Sequence, residues 1–367
     1  MSRVSRPLAN WLLIGVPLFA VVTLVWAWVA HPPTPVLIVL GILLVGAVFT
    51  AVHHAEVIAV RVGEPFGSLV LAVAVTVAEV GMIVTLMLSS PETTTTLARD
   101  TVFSALMLIC NGIVGISLIL KALKRRTAVF TPDGVGGALA AITVLATLTM
   151  VFPVFTHSAP GASFAPLQLG FVATVSLVLY SVFIFVQTIR HREFFLPPQI
   201  SGAARGLNDG HGPLPSTKAT LISLGLLLAS LIAVVGLSKV TSPVLKAGIS
   251  ALGLPAGMVA VAIAVIVLLP ESISAIRAAL HGRSQTSLNL AYGSAMASIG
   301  LTIPVIAVIS LTFGFPIVLG LSPSDMVLLA LTMVVSILTV LPGKATVLQG
   351  AIHLCILGSF LVFVISP

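Results

Sequence analysis

The sequence predicts an all-α polytopic membrane protein of about 11 transmembrane helices: one extra N-terminal helix followed by two inverted five-helix repeats. Three observations lead there: the composition, the length of the apolar runs and the placement of the basic residues. Hydrophobic residues make up 58% of the 367 and charged residues only 7%, whereas a soluble domain carries roughly 25% charged residues. Such a chain cannot offer water a polar surface all round. Its apolar runs are roughly 20 residues long, enough to cross a bilayer as helices that satisfy their own backbone hydrogen bonds. A strand barrel would show segments of roughly 10 residues alternating with a period of two.

Turn and charge punctuation places the spans near 11–30, 35–60, 66–88, 101–120, 135–155, 165–189, 217–238, 253–276, 288–311, 325–341 and 345–365. "HPPTP" (31–35), "KALKRR" (121–126) and "SPSD" (322–325) are the sharpest breaks. The first apolar run is too long and bulky for a cleaved leader, and Trp28 would stand at the −3 position of a cut after Ala30. It is expected to remain as a helix. Cys110 and Cys355 both lie inside apolar runs, where thiols act as small hydrophobes and imply no disulfide framework.

The basic residues test the count. Threading eleven spans from a cytoplasmic N-terminus puts Arg99, Lys239 and Lys246 outside and the other fourteen of the 17 Lys and Arg inside. That is the positive-inside pattern of an inner-membrane protein whose C-terminus faces the periplasm. The formal charge of +7 then serves orientation and the anionic lipid surface and needs no nucleic-acid partner.

The one long extramembrane segment, 190–218, is rich in Pro, Gly and polar residues and reads as a flexible cytoplasmic linker. It divides the chain into the extra helix (1–34), a first repeat (35–189) and a second (219–367). Each repeat has a Gly-x-Pro-x-Gly entry, "GEPFG" at 63–67 and "GLPAG" at 253–257, leading into a long apolar helix with one glutamate. Glu79 stands twelve residues after Gly67, and Glu271 fourteen after Gly257. A helix rich in small and polar residues follows each, "FSALMLICNGIVG" (103–115) and "AYGSAMASIGLTIP" (291–304). Five spans per half, an odd number, inverts the second half, as in many secondary transporters with a midplane site. Intramembrane carboxylates are costly and mark function by default. Pro270, beside Glu271, removes a backbone donor and frees a helical carbonyl.

"AVHHAEVIAVRVGEPFGSLVLAVAVTVAEVGMIVTLML", the "LLPES" around Glu271 and "YGSAMASIGLTIPV" resemble the bacterial ChaA-type calcium/proton antiporters, in the cation/proton exchanger branch of the calcium/cation antiporter superfamily. The resemblance runs from about residue 35 to the end. It implies two inverted five-helix repeats, each contributing a glutamate to a central cation site with alternating access. Glu79 and Glu271 match the two motif glutamates, and Asn111 matches an asparagine in the helix after the first. Ser294 and Ser298 fall in the helix after the second, and Glu56 resembles an acidic position preceding the first motif. Where eukaryotic-type members have Gly-Asn before each glutamate, this chain has "VTVAE" and "VLLPE". Its linker carries only Glu193 and Asp209 where many members have an acidic run.

On this reading Ca2+ is the transported ion, with Na+ or K+ as the alternative cargo, and no cofactor is implied. Two carboxylates in a low-dielectric site cannot both ionise without a cation, so protons and cation compete. Calcium takes six to eight oxygens, a set that Glu79, Glu271, Asn111, Ser294, Ser298, carbonyls and water would supply. Asn111 and the serines have an alternative role as helix–helix packing residues. His53, His54 and Glu56, in "HHAE", suggest proton entry or pH sensing, with an interfacial polar cluster as the alternative. Protons, cations and lipid are the expected partners, and a homo-oligomer is compatible with the pattern. An intramembrane enzyme would need a nucleophile–base pair, metal triad or paired aspartates, and Asp100, Asp133, Asp209 and Asp325 are scattered at loops and span ends. A passive channel would not need repeat-related glutamates, and no P-loop suggests ATP drive.

Overall fold

The computed structural model describes residues 6–63, 66–89, 95–195 and 214–366. Glu64 and Pro65 of the first entry motif and residues 196–213 of the linker, including Arg205 and Asp209, lie outside the described residues, as does Arg3. Among the described residues eleven helices are long and apolar enough to cross a membrane. They are α1 (Arg6–Ala30), α2 (Thr34–Val62), α3 (Phe66–Ser89), α4 (Leu97–Arg125), α5 (Pro132–Phe155), α6 (Pro166–Arg190), α7 (Thr217–Ala251), α8 (Gly257–Leu280), α9 (Ser284–Phe313), α10 (Pro323–Val340) and α11 (Val347–Ile365). Two-residue strands, β1 (Ala128–Val129) and β2 (Lys344–Ala345), pair antiparallel.

Local chemistry sets most helix ends. Pro33 precedes α2 in extended conformation and Pro35 fits its first turn, where a missing N–H costs nothing. The Ser216 hydroxyl accepts from the Ala219 N–H at 3.2 Å to start α7, and that of Ser322 accepts from the Asp325 N–H at 3.2 Å to start α10. At the head of α11 the Gln349 side chain accepts from the Thr346 N–H at 2.8 Å. Gly314, with φ +71°, ends α9 in the left-handed region that a Cβ disfavours. The seventh span departs from expectation. The sequence ends it near residue 238, yet α7 continues through Pro243 to Ala251. A proline removes one helical donor, here for the Lys239 carbonyl, and membrane helices absorb that loss through neighbouring groups.

The chain forms two compact units, each drawing on segments from both sides of the linker. The first comprises α1, α2, α3 and α7, with α7 packed along the other three. Ala51, Ala55, Ile58, Ala74 and Leu227 form a core between α2, α3 and α7. Polar ties are few: Thr50 Oγ1 and Ser230 Oγ lie 3.2 Å apart, and Arg61 donates to the Thr217 hydroxyl at 3.2 Å. The lipid-length helices leave Trp11, Phe19, Val29 and many other large apolar side chains exposed. Water would penalise such a surface, but hydrocarbon does not.

The second unit comprises α4, α5, α6, α8 from Ala260 onward, α9, α10 and α11. Of the described spans α4 is the most enclosed, and α9 follows. These are the two helices that the sequence marks as rich in small and polar residues. The reason is steric. A Cβ on Gly350 of α11 would stand 2.6 Å from Ile119 Cγ1 and 2.8 Å from the Gly115 carbonyl oxygen of α4. A Cβ on Gly300 of α9 would stand 2.9 Å from Tyr180 Cβ of α6. Small residues bring backbones together where dispersion, not the hydrophobic effect, binds helices. Lys121 and Lys124 at the end of α4 donate to the Gly282 and Leu280 carbonyls that α8 leaves open.

Replacing Gly350 with alanine should force α11 away from α4 backbone that cannot yield, costing about 1–3 kcal/mol. Gly358→Ala, on the same helix with nothing within 4 Å, should leave stability unchanged. Thermal unfolding of the purified variants in detergent reads both.

Candidate functional site

Glu79 lies well inside the apolar span of α3 and is 4% exposed; Glu271 lies well inside that of α8 and is 6% exposed. Glu79 belongs to the first compact unit and Glu271 to the second. Each interacts with neighbouring groups. Buried Thr76 stands one turn before Glu79 on the same helix face. In α8, Pro270 withholds a helical donor from the Ile266 carbonyl, one turn from Glu271, while the helix runs on to Leu280.

Helical geometry splits the "HHAE" cluster. Successive residues turn by about 100°, so His54 and Glu56 face nearly opposite ways. His54 is buried, His53 half-buried and Glu56 exposed. The His54 Nε2–H donates to the Leu13 carbonyl of α1 at 3.0 Å. Leu13 lies four residues before Pro17, inside α1, and so lacks its helical donor. His54 supplies it. The histidine ties the extra first helix to α2 by repairing a defect that a proline makes.

Asn111 is fully buried in a π-helical turn, Leu108–Ile113, that interrupts α4. Such a turn holds one extra residue, shifts the carbonyls out of register and recurs at functional sites. Its Nδ2 donates to Thr332 Oγ1 of α10 at 2.9 Å, and its Oδ1 stands 3.2 Å from His353 Nδ1 of α11. An amide oxygen only accepts, so Nδ1 carries the proton. The neutral ring then accepts at Nε2 from the Thr339 hydroxyl, 3.2 Å away. Thr332, Thr339 and His353 are all buried. The network joins α4, α10 and α11, and sequence reasoning flagged only Asn111 among its members. The missed signal was available: His353 sits in "AIHLCILG", as apolar as the surroundings of Glu79, and a lone imidazole there needs partners just as an amide does.

Ser298 is buried on α9, while Ser294, one turn earlier on the same face, is half-buried. At the beginning of α4, Arg99 pairs with Asp100 at 2.7 Å and donates to the Gly320 carbonyl at 2.6 Å. Asp325 accepts from Ser322 at 2.7 Å. These aspartates tie down span ends, as their positions suggest. Among the described residues no group of three or more His, Cys, Asp or Glu is placed to hold a metal ion.

Comparison with known proteins sets this arrangement in context. The family model described as sodium/calcium exchanger protein matches residues 33–189 and 222–366, most of the chain on both sides of the linker. The chain belongs to this family. The match begins after α1 and so leaves out the extra helix. The chain is 44% identical over 368 residues to y4hA of Sinorhizobium fredii, described as an ionic transporter, covering 98% of this chain and 97% of the relative. It is 31% identical over 354 residues to the sodium-potassium/proton antiporter ChaA of Escherichia coli, covering 95% of each. In fold it is similar to the H+/Ca2+ exchanger CAX, with a TM-score of 0.71 at 16% identity, covering 96% of this chain and 88% of that one. The expected ChaA-type resemblance holds, and the chain is a multi-pass membrane cation exchanger, not an enzyme.

His54→Ala should leave the Leu13 carbonyl without a donor and cost about 1–3 kcal/mol. Pro17→Ala restores the helical N–H, so the double variant should recover most of that loss. A double-mutant cycle on thermal unfolding measures the coupling.

Proposed function

We propose that the chain is a proton-coupled cation antiporter of the bacterial inner membrane that exports Ca2+ in exchange for H+ by alternating access. The observation that carries this reading is the burial of Glu79 and Glu271, two carboxylates kept within otherwise uncharged stretches of membrane helix. A carboxylate is expensive in hydrocarbon, and its retention calls for a charge that it periodically binds. When protonated, each glutamate is neutral and stable in a low-dielectric setting. When ionised, the pair balances the two charges of Ca2+. Cation and protons therefore exclude one another, and this competition couples their opposite movements. Asn111, Ser294 and Ser298 complete the oxygen set with freed carbonyls and water, consistent with calcium's need for six to eight oxygens.

The matched relation of Glu79 and Glu271 in the two sequence halves supports an inverted-repeat mechanism in which access alternates. A cytoplasmic N-terminus and external C-terminus are supported by the bias of the basic residues. Glu56, exposed on α2, suits proton entry better than cation ligation. His54, already committed to the Leu13 carbonyl, is less suited to sensing pH than His53.

A second reading, exchange of Na+ or K+ for H+ through the same carboxylates, is favoured by the name of the Escherichia coli relative. Everted vesicles with a fluorescent reporter of the proton gradient separate the two. Proton release on adding CaCl2 supports calcium exchange, and a response confined to NaCl or KCl supports the monovalent reading. Glu79→Gln and Glu271→Gln should each reduce the response to background. Wild-type exchange in both variants would sink the two-carboxylate mechanism. Because protons compete with the cation, the apparent KM for cation should rise as pH falls.

A further inference from the structure

His353 lies in a span with no charged residue, fully buried, and its ring is used at both nitrogens. Helix–helix adhesion alone would explain a buried imidazole, but not its choice of partner. It bonds to the Asn111 side chain on the π turn of α4, in a place where α11 is drawn close by Gly115 and Gly350.

An amide offers either an oxygen or an NH2 group to what lies beside it, and only the oxygen is a cation ligand. Two anchors hold Asn111 in the orientation seen here. On one side the oxygen faces His353 Nδ1 at 3.2 Å, where a ring N–H donates to it. The Thr332 oxygen accepts the NH2 group, with its own hydroxyl directed to Met107 Sδ at 3.5 Å. The Thr339 hydroxyl, 3.2 Å from Nε2, is able to donate there, which matches a ring proton on Nδ1. The Asn111 oxygen retains a second lone pair, polarised by the first bond.

We propose that His353 is a positioning residue for cation exchange: through its bond to Asn111 it holds the amide oxygen in the orientation that binds cation. The proposal rests on Asn111 taking part in cation binding, as inferred above. Partners that orient a metal ligand typically contribute about 10–100-fold to metal affinity without touching the metal.

The test is a cation titration in everted vesicles carrying wild type, His353→Leu, His353→Asn, Asn111→Ala or the Asn111→Ala/His353→Leu double variant, with CaCl2, NaCl and KCl as probes. His353→Leu should raise the apparent KM about tenfold or more at nearly unchanged maximal rate. His353→Asn places an amide N–H close to where Nδ1–H stands and should restore most of the affinity. In the Asn111→Ala background, His353→Leu should add nothing further. Thermal unfolding of each variant reports folding separately, and His353→Asn keeps the test open if His353→Leu is unstable. An active wild type with unchanged KM in His353→Leu overturns this proposal alone, as does an equal KM rise in His353→Leu and His353→Asn. A wild type that responds to no cation overturns the exchange reading, and this proposal with it.

Discussion

A polar group inside a bilayer has no water to bond to, so the protein must supply every partner it uses. This constraint shapes the chain at each level. It makes the spans helical, since a helix closes its own backbone bonds. It also makes every exception to helical bonding conspicuous. Pro17 leaves the Leu13 carbonyl short of a donor, and His54 from α2 fills the gap. The π turn of α4 brings Asn111 into an apolar interior, and α10 and α11 answer with Thr332 and His353. The open carbonyls at the end of α8 receive Lys121 and Lys124.

Packing follows from the same solvent. Lipid is as apolar as leucine, so helices gain little by hiding side chains from it and must gain by contact. Close approach requires small residues, and Gly115, Gly300 and Gly350 stand where a Cβ would meet a neighbouring helix. The outer helices are free to carry bulk, and their large side chains face outward. Steric economy of this kind includes α4 and α9, which also carry polar residues with a proposed role in cation binding. Close-packed helices hold side chains in fixed directions, as a site that selects between ions requires.

Glu79 and Glu271 stand against this background as groups whose burial calls for an exchangeable charge. His54 meets a carbonyl, Thr50 meets Ser230 and Asp100 meets Arg99, contacts that serve helix packing and span ends. The membership of the chain in a family of exchangers gives the two glutamates a chemistry that suits their cost.

The sequence by itself determined the membrane class, the eleven spans and the two glutamates, because hydrocarbon thickness fixes span length and a carboxylate in an apolar run is visible without coordinates. It was less informative wherever the outcome depended on a distant partner. The seventh span reads as ending near residue 238, but α7 runs on through Pro243 to Ala251, since the cost of a missing N–H depends on neighbours that local sequence does not reveal. "HHAE" reads as one cluster, but helical rotation and α1 divide it into a buried tie and an exposed carboxylate. His353, 242 positions from Asn111, could be joined to it only by the packing of α11 on α4. Length and polarity are properties of a segment and are written in the sequence. The direction of a hydrogen bond and the choice of partner are properties of two segments in contact, and only the tertiary structure decided them.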